Sequence, residues 1–344
     1  MAITIKEIAV LAGVSVGTVD RALHGRGRIK LETEERVKQI AQENGFRPSR
    51  MARALALSKN PIKIGVVIHL TKTEFMKQVL DGVRRAKKEL EGLGAEITVK
   101  EIPGLSHEAQ LDAVDELVRS GVQGIALSPV DDPSIRKRIN ELSALGISVV
   151  TLNTDIAGSD RMCFVGLDNF QSGRIAAGLM GISIGGVGKV LVITGHLTNQ
   201  ANHRRVAGFM HELEESFPKI QLMEVQVCFD DDLIAKDITT KMMCQTPELR
   251  GIFLIAAGQA GVCAGLEGLS QSSKVRVLAY DVILSTVEGL KSGVIDFAID
   301  QNTFLQGYKP VILLYDKLFS GKTPPTDVLY IDSIIRTKQN ISND

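Results

Sequence analysis

Apolar positions recur at helical spacing near the start of the chain, and from Ile62 onward they gather into short runs. In TIKEIAVLAGVSVGTVDRAL (residues 4–23), Ile5, Ile8, Ala9 and Leu11 share a face before Gly13 interrupts the pattern. Ser15 can then cap a second helix whose inner face carries Val19, Ala22 and Leu23. The run LETEERVKQIAQEN, with Val37, Ile40 and Ala41 inward and Gly45 as a stop, predicts a third helix. Together they would close a core of about 45 residues, which is marginally stable alone. On spacing alone, two short helices joined by a Gly-containing turn fit a DNA-binding helix-turn-helix and an ordinary helical hairpin equally well.

Beyond Ile62, strand-like runs alternate with amphipathic stretches: IKIGVVIHL, AEITVKEIP, GIALSP and ISVVTLNTD are separated by EFMKQVLDGVRRAKKELEGLG, EAQLDAVDELVRSG and SIRKRINELSALG. That alternation indicates βαβ units around parallel sheet. A second series, from MCFVGLD through KVLVITG, IQLMEVQV, GIFLIAA and VRVLAYD to IDFAIDQ, predicts a second α/β lobe. A long helix in QNTFLQGYKPVILLYDKLFSGK and a final strand pair in VLYIDSIIRT follow. Between head and lobes, RPSRMARALALSKN reads as a basic linker with helical propensity, too short to be stable in isolation. The predicted organisation is an all-α head over residues 1–46, a hinge over 47–61 and an α/β body over 62–344 built on two doubly wound parallel sheets.

Charge sharpens this division. The net charge of zero conceals eleven Lys and Arg against six Asp and Glu in residues 1–60, and 29 against 34 in the rest. A basic head on an acidic body suits a head that meets polyphosphate. Lys6 and Glu7 interrupt the opening apolar run, so no signal-peptide core is expected, and no stretch is long enough to span a membrane. A cytoplasmic location follows as the expectation. Cys163, Cys228, Cys244 and Cys263 stand far apart without a C-x-x-C pair and are expected to be buried reduced thiols. Gly185-Gly186-Val187-Gly188-Lys189 fails the phosphate-loop spacing, and neither H-E-x-x-H nor G-x-S-x-G occurs. His196 and His203 flank one loop without an acidic third ligand. The chain is therefore expected to be no enzyme, with no cofactor and no metal.

The pattern T-I-x-x-I-A-x-x-A-G-V-S-x-x-T-V-x-R at residues 4–21 resembles the start of LacI-family repressors. So do Glu34-Glu35-Arg36-Val37 and Asn44-Gly45-Phe46-Arg47-Pro48. The resemblance implies double-stranded operator DNA as partner, bound by a homodimer whose half-sites lie about 34 Å apart or a multiple of that. It puts Val16, Gly17 and Arg21 at the bases and Thr18 at a phosphate, with Thr4, Ser15, His24 and Arg50 completing the DNA contacts. It also implies a hinge that turns helical on the operator and drives Leu55 into the minor groove, where an apolar wedge unstacks a base step. Two residues depart from the family. Asp20 replaces a usual Ser, so a carboxylate near phosphates needs screening by Arg21 or Arg26. Gly17 has no side chain to read a base, which leaves readout to Arg21 and to Val16 against a thymine methyl.

The two lobes resemble periplasmic binding proteins of the ribose-binding type. The resemblance implies three crossings between lobes, near residues 165–168, 301 and 327–330, hence one lobe of about 62–166 and 302–328 and another of 167–301 and 329–340. Ligand is expected in the cleft at the carboxyl ends of the strands. There the sequence supplies Ser128, Asn153, Thr154, Asp155, Asp168, Asn169, Asp281 and Gln301. By resemblance Asp281 accepts hydrogen bonds from sugar hydroxyls, Gln301 is a crossover amide, Asn153 and Ser128 stand in contact positions, and Phe75 covers the sugar ring. His203, in ANHRRVAGF, is read as replacing an Arg that reaches sugar oxygens. Gly258 is read as replacing a polar contact, with Gln259 taking over. Asp168 and Asn169 also fit a helix cap or Asx-turn, with ligand contact the preferred reading. With Asp281 kept and the Arg lost, the expected effector is neutral, a monosaccharide or cyclitol. The whole then predicts a sugar-responsive transcriptional repressor. The alternative, a sugar receptor that does not bind DNA, predicts an export signal and no basic head.

Overall fold

The structure, a computed structural model, describes residues 3–24, 29–44, 60–196, 199–269 and 275–341. The chain divides into two compact units, the first comprising Met1–Pro61 and Gly92–Gly94 and the second Ile62–Glu91 and Ala95–Asp344.

The head holds α1 (Ile5–Ala12), α2 (Val16–His24) and α3 (Leu31–Glu43). Thr4 and Glu7 form a reciprocal capping box at the start of α1, an arrangement whose loss typically costs about 1 kcal/mol. Gly13 ends α1 at φ 62°, a conformation that a side chain would strain. Ile8, Ala9, Ala12, Val19, Ala22, Val37 and Ala41 make the buried core. Leu11 is a correction: it is 58% exposed, because helical pitch brings Ala12, not Leu11, beneath Ile5, Ile8 and Ala9.

The body is built on two sheets. The first, in the order β12-β5-β4-β3-β1-β2, comprises β1 (Ile62–Ile68), β2 (Ala95–Glu101), β3 (Gly124–Leu127), β4 (Ser148–Leu152), β5 (Cys163–Gly166) and, from far along the chain, β12 (Val328–Tyr330). All its pairings are parallel. The second runs β13-β11-β10-β9-β6-β7 and comprises β6 (Gly188–Thr194), β7 (Ile220–Leu222), β9 (Leu249–Leu254), β10 (Arg276–Tyr280), β11 (Phe297–Asp300) and β13 (Ile334–Arg336); β8 (Gln226–Val227) also pairs with β6. The chain therefore leaves the first sheet after β5, returns after β11 and leaves again after β12. The last strand departs from an all-parallel sheet, since β13 runs antiparallel to β11.

Alternation along the strands of the second sheet shows why both faces must be covered. Leu191, Ile193, Ile252, Leu254, Val277 and Ala279 point to one side, and Val190, Val192, Phe253, Leu278 and Tyr280 to the other. On the latter side lie α7 (Asn169–Ser183) and α8 (Gln200–Ser216), where Phe209 stacks on Phe253 at 4.6 Å. The first sheet is flanked by α4 (Glu74–Glu91), α5 (His107–Arg119), α6 (Pro133–Ala144) and the late helix α12 (Thr303–Ser320). The second is completed by α9 (Asp232–Gln245), α10 (Gln259–Leu266) and α11 (Leu284–Ser292).

Each lobe uses a pair of glycines to bring two helices together. A Cβ on Gly82 would overlap Phe304 O and one on Gly307 would overlap Val79 O, which joins α4 to α12. Likewise Gly173 faces Arg205 O and Gly208 faces Phe170 O, which joins α7 to α8. All four cysteines are free thiols, and Cys163 and Cys228 are buried. Cys244 corrects the expectation of uniform burial, because it sits on the outer face near the end of α9 and is exposed. Among the described residues, no helix is long and apolar enough to cross a membrane.

Candidate functional site

In the head, α2 presents its first turns to solvent. Ser15 Oγ accepts from Thr18 N at 3.1 Å and lies 2.9 Å from Thr18 Oγ1, so the predicted cap is made and both hydroxyls are oriented by it. Val16, Gly17 and Arg21 are exposed, while Thr18 and Asp20 are half-buried. Arg21 folds back along the helix, with Nε donating to Gly17 O at 3.0 Å. Gly17, which has no side chain to read a base, thus gives Arg21 a backbone anchor. The Thr4 hydroxyl is engaged with Glu7, accepting from its N–H at 3.3 Å and donating to Oε2 at 2.9 Å. His24 ends α2, and Arg26, Arg50 and Leu55 lie outside the described residues.

In the body, the predicted cleft residues fall at the carboxyl ends of the strands. Asn153 follows β4 and Asp281 follows β10, each in the left-handed region at φ 64° and 65°. Each also donates its N–H across to the neighbouring strand, to Val165 O and Ile299 O, both at 3.0 Å. Short polar side chains tolerate this conformation better than branched ones, and strain of this kind is commonly held where side chains must be aimed. Ser128 follows β3 with its hydroxyl buried and without a protein partner. Beside it, His69 Nδ1 donates to Ser128 O at 2.8 Å, and burial pushes the imidazole pKa down, so the ring is held neutral. Phe75 is half-buried in the first turn of α4. Thr154 Oγ1 donates to Pro129 O at 2.9 Å.

Around Asp281 the structure assembles a connected polar cluster. Gln301 Nε2 donates to Asp281 Oδ1 at 2.6 Å, and Gln301 Oε1 accepts from Arg205 Nη2 at 2.7 Å. Arg205 also donates to Asn169 Oδ1 at 2.8 Å and to Ile255 O at 3.2 Å, with its guanidinium 4.1 Å from the Tyr280 ring centroid. Burial pushes the Asp281 carboxyl up to about 6, with Asp300 adding to the rise while Arg205 and the Gln301 hydrogen bond oppose it. Burial likewise raises the Tyr280 hydroxyl to about 12, and that hydroxyl lies 2.6 Å from Ser172 Oγ.

Two sequence expectations need correction, at His203 and Gln259, and Asp168 takes its helix-cap reading. His203 is exposed on α8 and stands apart from this cluster. The cation is not lost but lies two residues on, at Arg205, which is 6% exposed. The helical phase explains this, since Asn202, Arg205, Phe209 and Leu213 form the buried stripe of α8 and His203 falls off it. Gln259 does not take over for Gly258: its Nε2 donates to Ala256 O and Tyr280 O at 3.2 and 3.0 Å, inside the fold. Asp168 caps α7, with Oδ1 accepting from Phe170 N and Gln171 N at 3.1 and 3.0 Å.

Residues that no sequence pattern marked also join the two lobes. Glu74 Oε2 accepts from Leu284 N at 3.1 Å, and Gln78 Nε2 donates to Val282 O at 2.8 Å. Thr303 Oγ1 donates back to Gln78 Oε1 at 2.7 Å. These bonds tie the start of α4, beside the first sheet, to the loop after Asp281 on the second. Phe229, also unflagged, is 57% exposed after β8 with its ring edge against His196 at 5.3 Å. Among the described residues, no group of three or more His, Cys, Asp or Glu is placed to hold a metal ion.

Residues 64–323 match the family described as periplasmic binding protein domain, and residues 4–49 match bacterial regulatory proteins of the lacI family. The chain belongs to the periplasmic binding protein domain family, and its head matches the lacI family. It is similar to the ribose import binding protein RbsB of Bacillus subtilis, 22% identical over 266 residues, covering 77% of this chain and 84% of that one. It is similar to the HTH-type transcriptional regulator AglR of Rhizobium meliloti, 31% identical over 224 residues, 62% of this chain and 59% of the regulator's length. Among solved structures, a solute-binding protein of an ABC transporter from Burkholderia graminis, in complex with D-arabinose, is 26% identical with a TM-score of 0.71, covering 82% of this chain and 97% of that one. The chain thus joins a head that matches the lacI family to a body of the periplasmic binding protein family.

Proposed function

We propose that this protein is a sequence-specific transcriptional repressor whose hold on operator DNA is set by a small neutral sugar or polyol bound between the two lobes. The observation that carries the reading is the Asp281–Gln301–Arg205 cluster. It balances one carboxylate against one guanidinium, so the cluster carries no net charge. A phosphorylated or carboxylated effector would ask for an excess of donors and positive charge, which this balance does not provide. Relatives named for ribose import and solved with D-arabinose support the carbohydrate class. Effector binding shifts the protein toward one lobe arrangement, and that arrangement changes how the heads are presented to DNA. The protein acts in the cytoplasm as a homodimer on a two-fold symmetric site, and its body binds ligand without turning it over.

Selection of an operator from a random duplex library, followed by binding titrations with and without neutral sugars, tests this reading. Arg21→Ala should narrow the ratio of operator to random-duplex affinity by about 5-fold to 100-fold, the range for loss of a good base contact. Asp281→Ala should leave operator affinity within about 2-fold of wild type and abolish the sugar response. A wild-type protein that prefers no duplex over random competitor, in any sugar, rules the proposal out.

A further inference from the structure

Two hydrogen-bonded chains meet at Gln301, and the chemistry of their end groups fixes which way every amide in them points. Arg205 can only donate, so Gln301 must turn Oε1 toward Nη2, and its Nε2 is thereby directed at Asp281 Oδ1. Asp281 Oδ2 is left without a hydrogen bond to any described residue.

The second chain starts from a main-chain carbonyl, which can only accept. Gln306 donates Nε2 to Gln301 O at 2.9 Å. Its Oε1 is then the atom that faces Asn153, and Asn153 must answer with Nδ2, at 3.3 Å. The Asn153 Oδ1 is left over, taking no hydrogen bond from the described residues. Gln306 is fully buried in the second turn of α12, just past the crossover, so it cannot satisfy a reversed amide with water. A reversed Gln306 would set its oxygen against Gln301 O and its NH2 against the Asn153 NH2.

We propose that Gln306 is a positioning residue that fixes the direction of the Asn153 amide, so that Asn153 on one lobe presents an acceptor oxygen as Asp281 does on the other. This rests on the neutral-effector reading and narrows it. The ligand must bring a hydroxyl or comparable donor to each lobe. Compounds that are acceptor-only at either end, such as deoxyfluoro sugars substituted at that hydroxyl, leave two oxygens or an oxygen and a fluorine facing one another.

The polarity can be read in the full-length protein without ligand. Thermal unfolding of wild type, Asn153→Asp, Gln306→Met and the double variant at pH 5 and pH 8 is the experiment. If Gln306 Oε1 faces position 153, the new carboxyl is tolerated when protonated, because it then donates, and penalised when ionised. Its folded pKa is therefore raised above the unfolded value, and the associated stability is lost as pH rises. Asn153→Asp should melt lower than wild type by about 2–4 °C more at pH 8 than at pH 5, the shift expected for roughly 1 kcal/mol in a domain of this size class. In the Gln306→Met background that pH-dependent part should vanish. His69, Asp281 and Arg205, and the Asp155–Arg161 pair, are common to all four proteins and cancel in the differences.

A cost equal at both pH values, or one that survives in Gln306→Met, overturns the proposal. If Gln306→Met does not fold, Asn153→Asp against Asn153→Ala decides it, since only the former should carry the pH-dependent loss. With D-ribose, D-xylose and myo-inositol as probes, Gln306→Met should weaken the tightest binder about 10-fold in the wild-type background and less than about 2-fold beside Asn153→Asp, which presents an acceptor whichever way it turns. Equal losses in the two backgrounds would mean a merely structural amide. Failure of all probes to bind wild type would count against the neutral-sugar reading, while the ligand-free arm would still decide the role of Gln306.

Discussion

At the scale of single residues, burial moves the Asp281 carboxyl far up from its ordinary range. Raised from 3.8 to about 6, it contributes stability that is full below about pH 4 and lost as pH rises through 6. Asp281→Asn, which cannot ionise, should therefore be more stable than wild type at pH 8, by about 1–3 kcal/mol once solvent at the cleft mouth is allowed for. The gain should disappear below about pH 4, and calorimetry across that range checks it. Ligand binding should run the opposite way in the wild type, weakening as pH falls below about 6, because only the ionised carboxylate is acceptor on both oxygens. Asp281 was legible in the sequence because a polar residue closing a buried run marks the end of a strand. Arg205 was not, because His203 was matched to its place by motif alone. The apolar phase of α8, read through Phe209 and Leu213, points to Arg205.

Between elements, the glycines govern approach. Gly173→Ala should push α7 away from α8 where a methyl meets Arg205 O, at a cost of about 1–3 kcal/mol, and weaken sugar binding by shifting Arg205. Gly178→Ala, on the same helix with open space around it, should instead stabilise by up to about 1 kcal/mol. Denaturant unfolding of the pair separates close packing from helix propensity. In a sequence both glycines read only as a penalty to the helix, so the distinction between them was invisible. Most strands were legible from their runs of Val, Ile and Leu. The run IQLMEVQV was expected to be one strand, but Met223 N bonds Val190 O and the chain breaks into β7 and β8 before regaining β6.

For the whole molecule, the bonds from Glu74 and Gln78 to the loop after Asp281 bear on how the lobes meet. Gln78→Ala removes the bonds to Val282 O and Thr303 Oγ1, and should weaken effector binding by about 3-fold to 10-fold while operator affinity without effector is nearly unchanged. Calorimetric titration with the best-binding sugar measures it. These contacts could not be foreseen from the chain, since they join residues more than 200 positions apart.

The shared ownership of the final helix also constrains biosynthesis. The first lobe starts at Ile62, yet its α12 and β12 are translated only after β6 to β11 of the second have emerged. On the ribosome, the earlier lobe must wait half-built, with α4 lacking the neighbour that Gly82 was shaped to receive. A message truncated before Thr303 would therefore yield no intact lobe at all, rather than one sound lobe and a missing one.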